Sequence, residues 1–435
     1  MEQAKLWIWG GTALVPSAPN GVIEDAAIGI QGGKIVFIGK RSEIQPPPGS
    51  RKIDATGCLV MPGLVNGHTH TGMTLLRGFA DDLPLETWLR EAIFPAERKW
   101  GSPEFVYWGG MLAAAEMIRS GTTTFNDMYY FEERSAQAAH EAGLRMIAGQ
   151  SLTEESDIDG TGKDIARSFD KFRESVSDYE LVTAAVSPHA IYSVSESSWK
   201  RLIEYCAKNS MRIHFHLSEV QSEVDDSLKK HGKTPVEFFE GLGLWELPVT
   251  AAHAVCLTEK DIQILGRHGV GISHNPESNF KLSTRTAPVV ELRRAGAQVA
   301  LGTDSTASNN NLDMLEEASF AAKVQAAKYG AGALKAAEIV QMLTSEGARA
   351  LGLGEVTGAL KVGLAADVIA IDVTAPHAVP LYNAYSHVVY SASGRDVKHS
   401  IIAGQVVMEN RNLLTLDEQE IVREAASWAR RIAAS

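Results

Sequence analysis

Eight apolar strand-like runs alternating with helical stretches, enclosed between two β-rich ends, predict a (β/α)8 TIM barrel carrying a small β-sandwich domain built from both termini. Three observations carry this reading. Between residues 61 and 360 the alternation recurs about eight times, as parallel β/α units require. Residues 1–60 and 361–415 share a different texture of short β runs broken by Gly, Pro and Asn, and together make the sandwich. Histidines and acidic residues collect at the ends of the inner strands, where barrel chemistry is done.

In chain order, LWIWGGTALV, AAIGIQGGKIVFIG and CLVMPG are the N-terminal strands of the sandwich. The barrel strands then end at VNGHTH, TTTFNDM, MIAGQSL, VTAAVSPHA, RIHFHLSE, TAAHAV, VGISHNP and VALGTDS. Helical stretches such as SSWKRLIEYCAKNS and TEKDIQILGRHG follow most of them, several opening on Ser or Thr as an N-cap. LKVGLAADVIAIDV and HSIIAGQVVME return to sandwich texture, and an amphipathic helix over 416–435 closes the chain. A doubly wound open sheet is the competing architecture, but the first strand–helix turn has no glycine fingerprint.

The composition narrows the function classes. Lys and Arg number 41 against 53 Asp and Glu in 435 residues, a formal charge of −12, which argues against a nucleic-acid partner. With 45% hydrophobic and 22% charged residues the chain is an ordinary globular protein that needs no staples. Cys58, Cys206 and Cys256 are too few and too scattered for a disulfide framework or a CxxC site, and suit a reducing compartment; Cys256 is expected in the core. No basic leader and no long apolar run is seen, so the expectation is a soluble cytoplasmic protein with no membrane partner. Association into a homo-oligomer is left open.

The residues able to carry chemistry sit on successive strand ends: His68 and His70 on the first, His189 on the fourth, His216 and Glu219 on the fifth, His253 on the sixth, His274 on the seventh, Asp304 on the eighth. Residues at i and i+2 of a strand point the same way, so His68 and His70 can meet one ion. Three imidazoles (His68, His70, His216) and one carboxylate (Asp304) suit zinc with one position open for water. Taken singly, each of these has an ordinary structural explanation; only their convergence makes a site. His214, two before His216, is read as a neighbour rather than a ligand. His140, His231, His268, His387 and His399 fall in helical or surface-looking stretches and are read as structural. No GxSxG elbow and no phosphate-binding P-loop is present.

The segments MPGLVNGHTHTGMTLLRG, HLSE, SHNPESNFKLS and GTDSTASNNNLDM resemble the amidohydrolase superfamily over nearly the whole chain. DDLPLETWLREAIFPAE and SPHAIYS are similar to its 5-methylthioadenosine/S-adenosylhomocysteine deaminases. By position, the resemblance implies the metal ligands His68, His70, His216 and Asp304, and substrate contacts from His189, Glu219 and Glu97, the last expected on the loop after the first barrel strand, where it can accept from ribose hydroxyls. It also implies that His253 lies beside the nucleophilic water. Where binuclear relatives carry a carboxylated lysine this chain has His189, so one ion per subunit is implied, zinc or with the same ligands Fe2+. Gln150 stands where some relatives have an arginine, which bears on a charged substrate tail. The implied substrate is a purine nucleoside of the adenosine type, with Glu219, His253 and Asp304 moving protons. The alternatives are another heterocycle, a triazine or guanine, and a barrel that only binds.

Overall fold

A computed structural model describes residues 4–154 and 159–434. Eight parallel strands line up in sequence order: β1 (Leu64–Thr69), β2 (Thr122–Tyr129), β3 (Arg145–Leu152), β4 (Val182–Pro188), β5 (Arg212–Leu217), β6 (Val249–His253), β7 (Gly271–His274) and β8 (Gln298–Leu301). Helices alternate with them, so the predicted barrel is present. Its wall is Val, Ile, Leu, Phe and Ala, because strands covered on both faces read as continuous apolar runs.

The barrel closes unconventionally between β1 and β8, where side chains take over from the strand ladder. Asn66 Oδ1 accepts the amide of Thr303 at 3.0 Å and Asn66 Nδ2 donates to Thr303 Oγ1 at 2.8 Å. Just above, the Asp304 amide donates to the His68 carbonyl at 2.9 Å. Gly302 makes this approach feasible, since a Cβ there would lie 2.8 Å from the His68 nitrogen and 2.4 Å from Ser273 Oγ.

The two ends of the chain form two further sheets. Lys34–Lys40, Ala26–Gln31, Leu6–Trp9 and Arg51–Asp54 make one of them, in that order. The other joins Thr12–Leu14, Val22–Glu24 and Cys58–Pro62 to Val368–Asp372, Val397–Ile402, Gln405–Glu409 and Asn412–Leu413. Ile8, Ile28, Ile53 and Val60 from one end pack with Val368 and Ile401 from the other. AAIGIQGGKIVFIG is a hairpin whose turn, Gly32-Gly33, has φ of 55° and 75°, which two glycines adopt without steric cost. The last helix runs Glu418–Ala433 within the predicted 416–435; Ser435 lies outside the described residues. Among the described residues no helix is long and apolar enough to cross a membrane.

Two structural readings need correction. Cys256 is half-buried rather than in the core, its thiol 3.9 Å from the Glu219 carbonyl, while Cys58 and Cys206 are buried. His399 is neither helical nor at the surface but buried in the strand Val397–Ile402, and His387, helical as expected, is buried in Ala384–Tyr390.

Candidate active site

At the C-terminal mouth of the barrel one pocket is lined by His70, Glu97, His189, His216, Glu219, His253 and Asp304, with Met73, Trp88, Phe94, Tyr129 and Leu282 as apolar walls. Seven of the eight residues expected to form the site therefore meet in one pocket. The eighth, His68, lies immediately beneath and is fully buried.

Each histidine of the cluster is oriented by its inner nitrogen. His70 Nδ1 donates to the Met128 carbonyl at 2.7 Å and His216 Nδ1 to the His189 carbonyl at 2.8 Å. His68 Nδ1 is 2.9 Å from His214 Nε2. These contacts leave the three Nε2 atoms facing one another and Asp304. His70 Nε2 lies 3.2 Å from His216 Nε2, and Asp304 Oδ1 lies 3.4 Å from His70 Nε2 and 3.5 Å from His68 Nε2. Ligands about 2.0–2.1 Å from a tetrahedral ion stand about 3.3 Å from one another, so these spacings fit such an ion. His68 Nε2 is moreover buried without any hydrogen-bond partner. A buried, unpartnered nitrogen is expensive for a protein alone and suits a metal ligand.

The backbone bends sharply at this rim. Ser218 (φ 48°), His253 (φ 71°), Ala254 (φ 50°) and Asp304 (φ 61°) are left-handed, a conformation costing non-glycine residues about 1–3 kcal/mol each. At Ser218 the bend ends β5 and turns Glu219 inward, as the spacing from His216 demands. Glu223 holds it: its two carboxylate oxygens accept the amides of Ser218 and Glu219 at 2.9 and 3.0 Å. Glu219 Oε1 then lies 3.7 Å from His253 Nδ1, and Asp304 Oδ2 lies 3.8 Å from His253 Nε2. Asp304 Oδ2 also accepts from Ser278 Oγ at 2.6 Å, and Asn279 Nδ2 donates to His253 Nδ1 at 3.0 Å.

Burial sets the electrostatics. It pushes the Glu219 carboxyl well above the usual range, helped by the neighbouring Asp304 and Glu223 charges. The His253 and His189 imidazoles are driven down to about 3 by burial, so both are neutral. Asp304 goes the other way: the surrounding His68, His253 and His70 outweigh its burial and hold it well below the usual range. Glu97 is pushed up to about 7 by burial, against the pull of the adjacent Tyr129 hydroxyl.

Three assignments differ from the sequence reading. Glu97 is not on a loop but in the helix Phe94–Trp100, the end of a helical segment over 85–100 that covers the mouth and contains a π-turn at Trp88–Ile93. Gln150 faces away from the pocket, bonded to Asp159 Oδ2 at 2.5 Å and Thr161 Oγ1 at 2.9 Å; Ser151 and Thr153 line the pocket instead. His274 ends β7 as expected but does not line the pocket, and both its ring nitrogens are buried without partners. His214, Glu223, Ser278 and Asn279 are supporting residues that the sequence reading did not assign. The HxH spacing in β5 was the available signal for His214; for the other three only the fold supplies one.

The chain matches the Amidohydrolase family over residues 59–407. It is 43% identical, over 99% of both chains, to a 5-methylthioadenosine/S-adenosylhomocysteine deaminase of Pelotomaculum thermopropionicum. A deaminase of the same name from Syntrophobacter fumaroxidans is also 43% identical, again over 99% of each chain. Among solved structures, an adenosine deaminase from Xanthomonas campestris with bound zinc superposes with a TM-score of 0.93 at 35% identity, covering 99% of each chain. An atrazine chlorohydrolase of Arthrobacter aurescens complexed with zinc, at 23% identity and a TM-score of 0.88 over 98% of this chain and all of that one, shares the fold. The barrel, the ring of imidazoles around Asp304 and the match over most of the length make this chain a member of the amidohydrolase family.

Proposed function

We propose that this amidohydrolase is a zinc-dependent deaminase of adenosine-type nucleosides, converting adenosine, 5′-methylthioadenosine or S-adenosylhomocysteine to the inosine analogue and ammonia. The observation that carries the reading is the facing of Glu219 and Asp304 across His253, beside three Nε2 atoms spaced for one ion. The relatives named as adenosine-type deaminases support the substrate class.

His68, His70, His216 and Asp304 would hold one ion per subunit. When bound, it supplies a water acidified toward neutrality. His253 and Asp304 would orient the attacking water and take its proton, Asp304 through the oxygen not turned toward His68 and His70. Attack at the purine carbon bearing the amino group places charge on the adjacent ring nitrogen, which Glu219 protonates. Glu219, now ionised, takes the proton of the added hydroxyl and passes it to the departing amine, so the C–N bond breaks to neutral ammonia as the C=O forms, and the proton held by His253 and Asp304 returns to Glu219. Glu97, projecting from the covering helix, accepts the ribose hydroxyls, and His189 lines the pocket beside Phe94 of that helix, ring to ring 6.5 Å. Among the described residues lining this pocket none is Lys or Arg, which favours a neutral 5′ tail within it, while Arg90 lines an adjoining cavity that shares Leu85, Leu89, Phe94, Tyr192 and Glu219. The scaffold at the ends of the chain serves as the small β-sandwich domain, 1–60 with 361–415, outside the 61–360 barrel.

Ammonia release from adenosine, methylthioadenosine, S-adenosylhomocysteine, adenine, guanine and a chlorotriazine, with zinc measured on the same preparation, tests this. Turnover of the nucleosides with one zinc per chain is expected, methylthioadenosine being used at least as well as S-adenosylhomocysteine. Activity confined to guanine or the triazine, or two ions per chain, overturns it.

A further inference from the structure

We propose that Asp127, on β2, is a positioning residue for the metal site, acting through the turn that carries His68 and His70. Its side chain is fully buried and reaches across to β1. Oδ1 accepts from Thr69 Oγ1 at 2.7 Å and from the Thr71 amide at 2.8 Å, while Oδ2 accepts from Thr71 Oγ1. Thr69 and Thr71 flank His70, so one carboxylate grips the chain on both sides of a ligand. The next residue completes the grip, because the Met128 carbonyl takes His70 Nδ1.

This grip is needed here because the regular ladder between β1 and β2 breaks down at this level. The pairing shifts register between Asn66 and Thr69, and the two strands meet again only at Thr69 and Asp127. Side chains fill the interval: Asn126 Nδ2 donates to the Gly67 carbonyl at 3.0 Å, and Thr69 Oγ1 also reaches the Asn126 carbonyl at 3.2 Å. Without Asp127, the side-chain ties from Thr69–Thr71 to β2 are reduced to the His70–Met128 bond and the longer contact of Thr69 Oγ1 with the Asn126 carbonyl. A ligand set has to be held within fractions of an ångström to bind tightly, so a slackened turn costs metal affinity before it costs the fold.

The inference rests on the zinc reading above, and the test separates the two. In the full-length protein, zinc affinity is measured by competition with a chelator, kcat at saturating zinc, and thermal midpoints with and without zinc. Asp127→Ala should weaken zinc about 10- to 100-fold, the usual cost of losing a residue that orients ligands. Its kcat should return toward wild type once zinc is saturating, and the stabilisation conferred by zinc should shrink. Asp127→Asn should bind almost as wild type, since its amide can donate to Thr71 Oγ1, whose own hydrogen then turns to Ser135 Oγ 3.3 Å away. If Asp127→Ala does not fold, Thr69→Val and Thr71→Val each remove one hydroxyl contact and should weaken zinc by part of that factor. Variants that hold zinc as tightly as wild type, or thermal midpoints that drop equally with and without zinc, overturn the clamp alone. So does an Asp127→Asn as weak as the alanine variant. A wild-type chain that takes up no zinc overturns the metal reading itself.

Discussion

Two pairs of histidines stand two residues apart: His68 in β1 with His70 just past its end, and His214 with His216 inside β5. In the first pair both rings present Nε2 to Asp304 Oδ1, at 3.5 and 3.4 Å. On β5 only His216 does comparable work, its Nε2 3.2 Å from that of His70, while His214 sits one layer deeper with Nε2 turned to His68 Nδ1. The strands of a barrel are staggered, so equal spacing in sequence places equal pairs at unequal depth. What separates a proposed ligand from its supporter here is which ring nitrogen is already engaged.

The comparison breaks most visibly if the two pairs are emptied in turn. His68→Ala with His70→Ala should abolish zinc retention and with it detectable deamination, read by elemental analysis and ammonia release. Metal kept at wild-type stoichiometry would move the site elsewhere. Next in size, Glu219→Gln keeps shape but cannot cycle a proton; turnover should fall about 10²- to 10⁴-fold with metal retained. Near-normal rates would mean that another group protonates the ring. His214→Gln then sharpens the contrast within β5. It should weaken zinc about 10- to 100-fold without changing stoichiometry at saturation. A complete loss of metal would make His214 a ligand after all.

One shell further out, Glu97→Ala should lower catalytic efficiency on adenosine about 10- to 100-fold, the worth of a charge-assisted hydrogen bond, and leave free adenine nearly untouched. The smallest effect is in pH. Burial raises the Glu97 carboxyl to about 7, so it is largely protonated below that and ionised above. Only the ionised form accepts from both ribose hydroxyls. KM for adenosine should therefore fall several-fold as pH rises from 6 to 8, and Glu97→Gln should flatten that fall. A fall of equal size with adenine would assign the titration to another group.

Much of the barrel was legible because a parallel strand covered on both faces is largely apolar, and most such runs here lead into a histidine or a carboxylate. His68, His70, His216, Glu219, His253 and Asp304 stood out for that reason. Glu97 was harder to place, because Pro84 and Pro95 read as loop punctuation although Pro95 occupies an early helical position where no amide is needed. Gln150 misled for a different reason: along β3 alternate residues face opposite ways, and it is Ser151 that points inward. Contacts such as Asp127 with Thr71, or Glu223 with the Ser218 amide, join segments whose approach is decided only by the closed barrel and the bent strand ends.

The seam between β1 and β8 gives the molecule a built-in order of assembly. Asn66 and Thr303 are 237 residues apart in the chain, as distant as the first and last strands of the barrel can be. A polypeptide made from its N-terminus exposes His68 and His70 long before Asp304 exists. Two histidines in a loose strand are an indiscriminate, weak trap for any divalent ion, whereas the proposed full set appears only when the eighth strand docks and the seam is stitched. On the proposed ligand set, tight metal uptake reports on a finished barrel, and a truncated or misdocked chain is left without the ion and without the proposed activity.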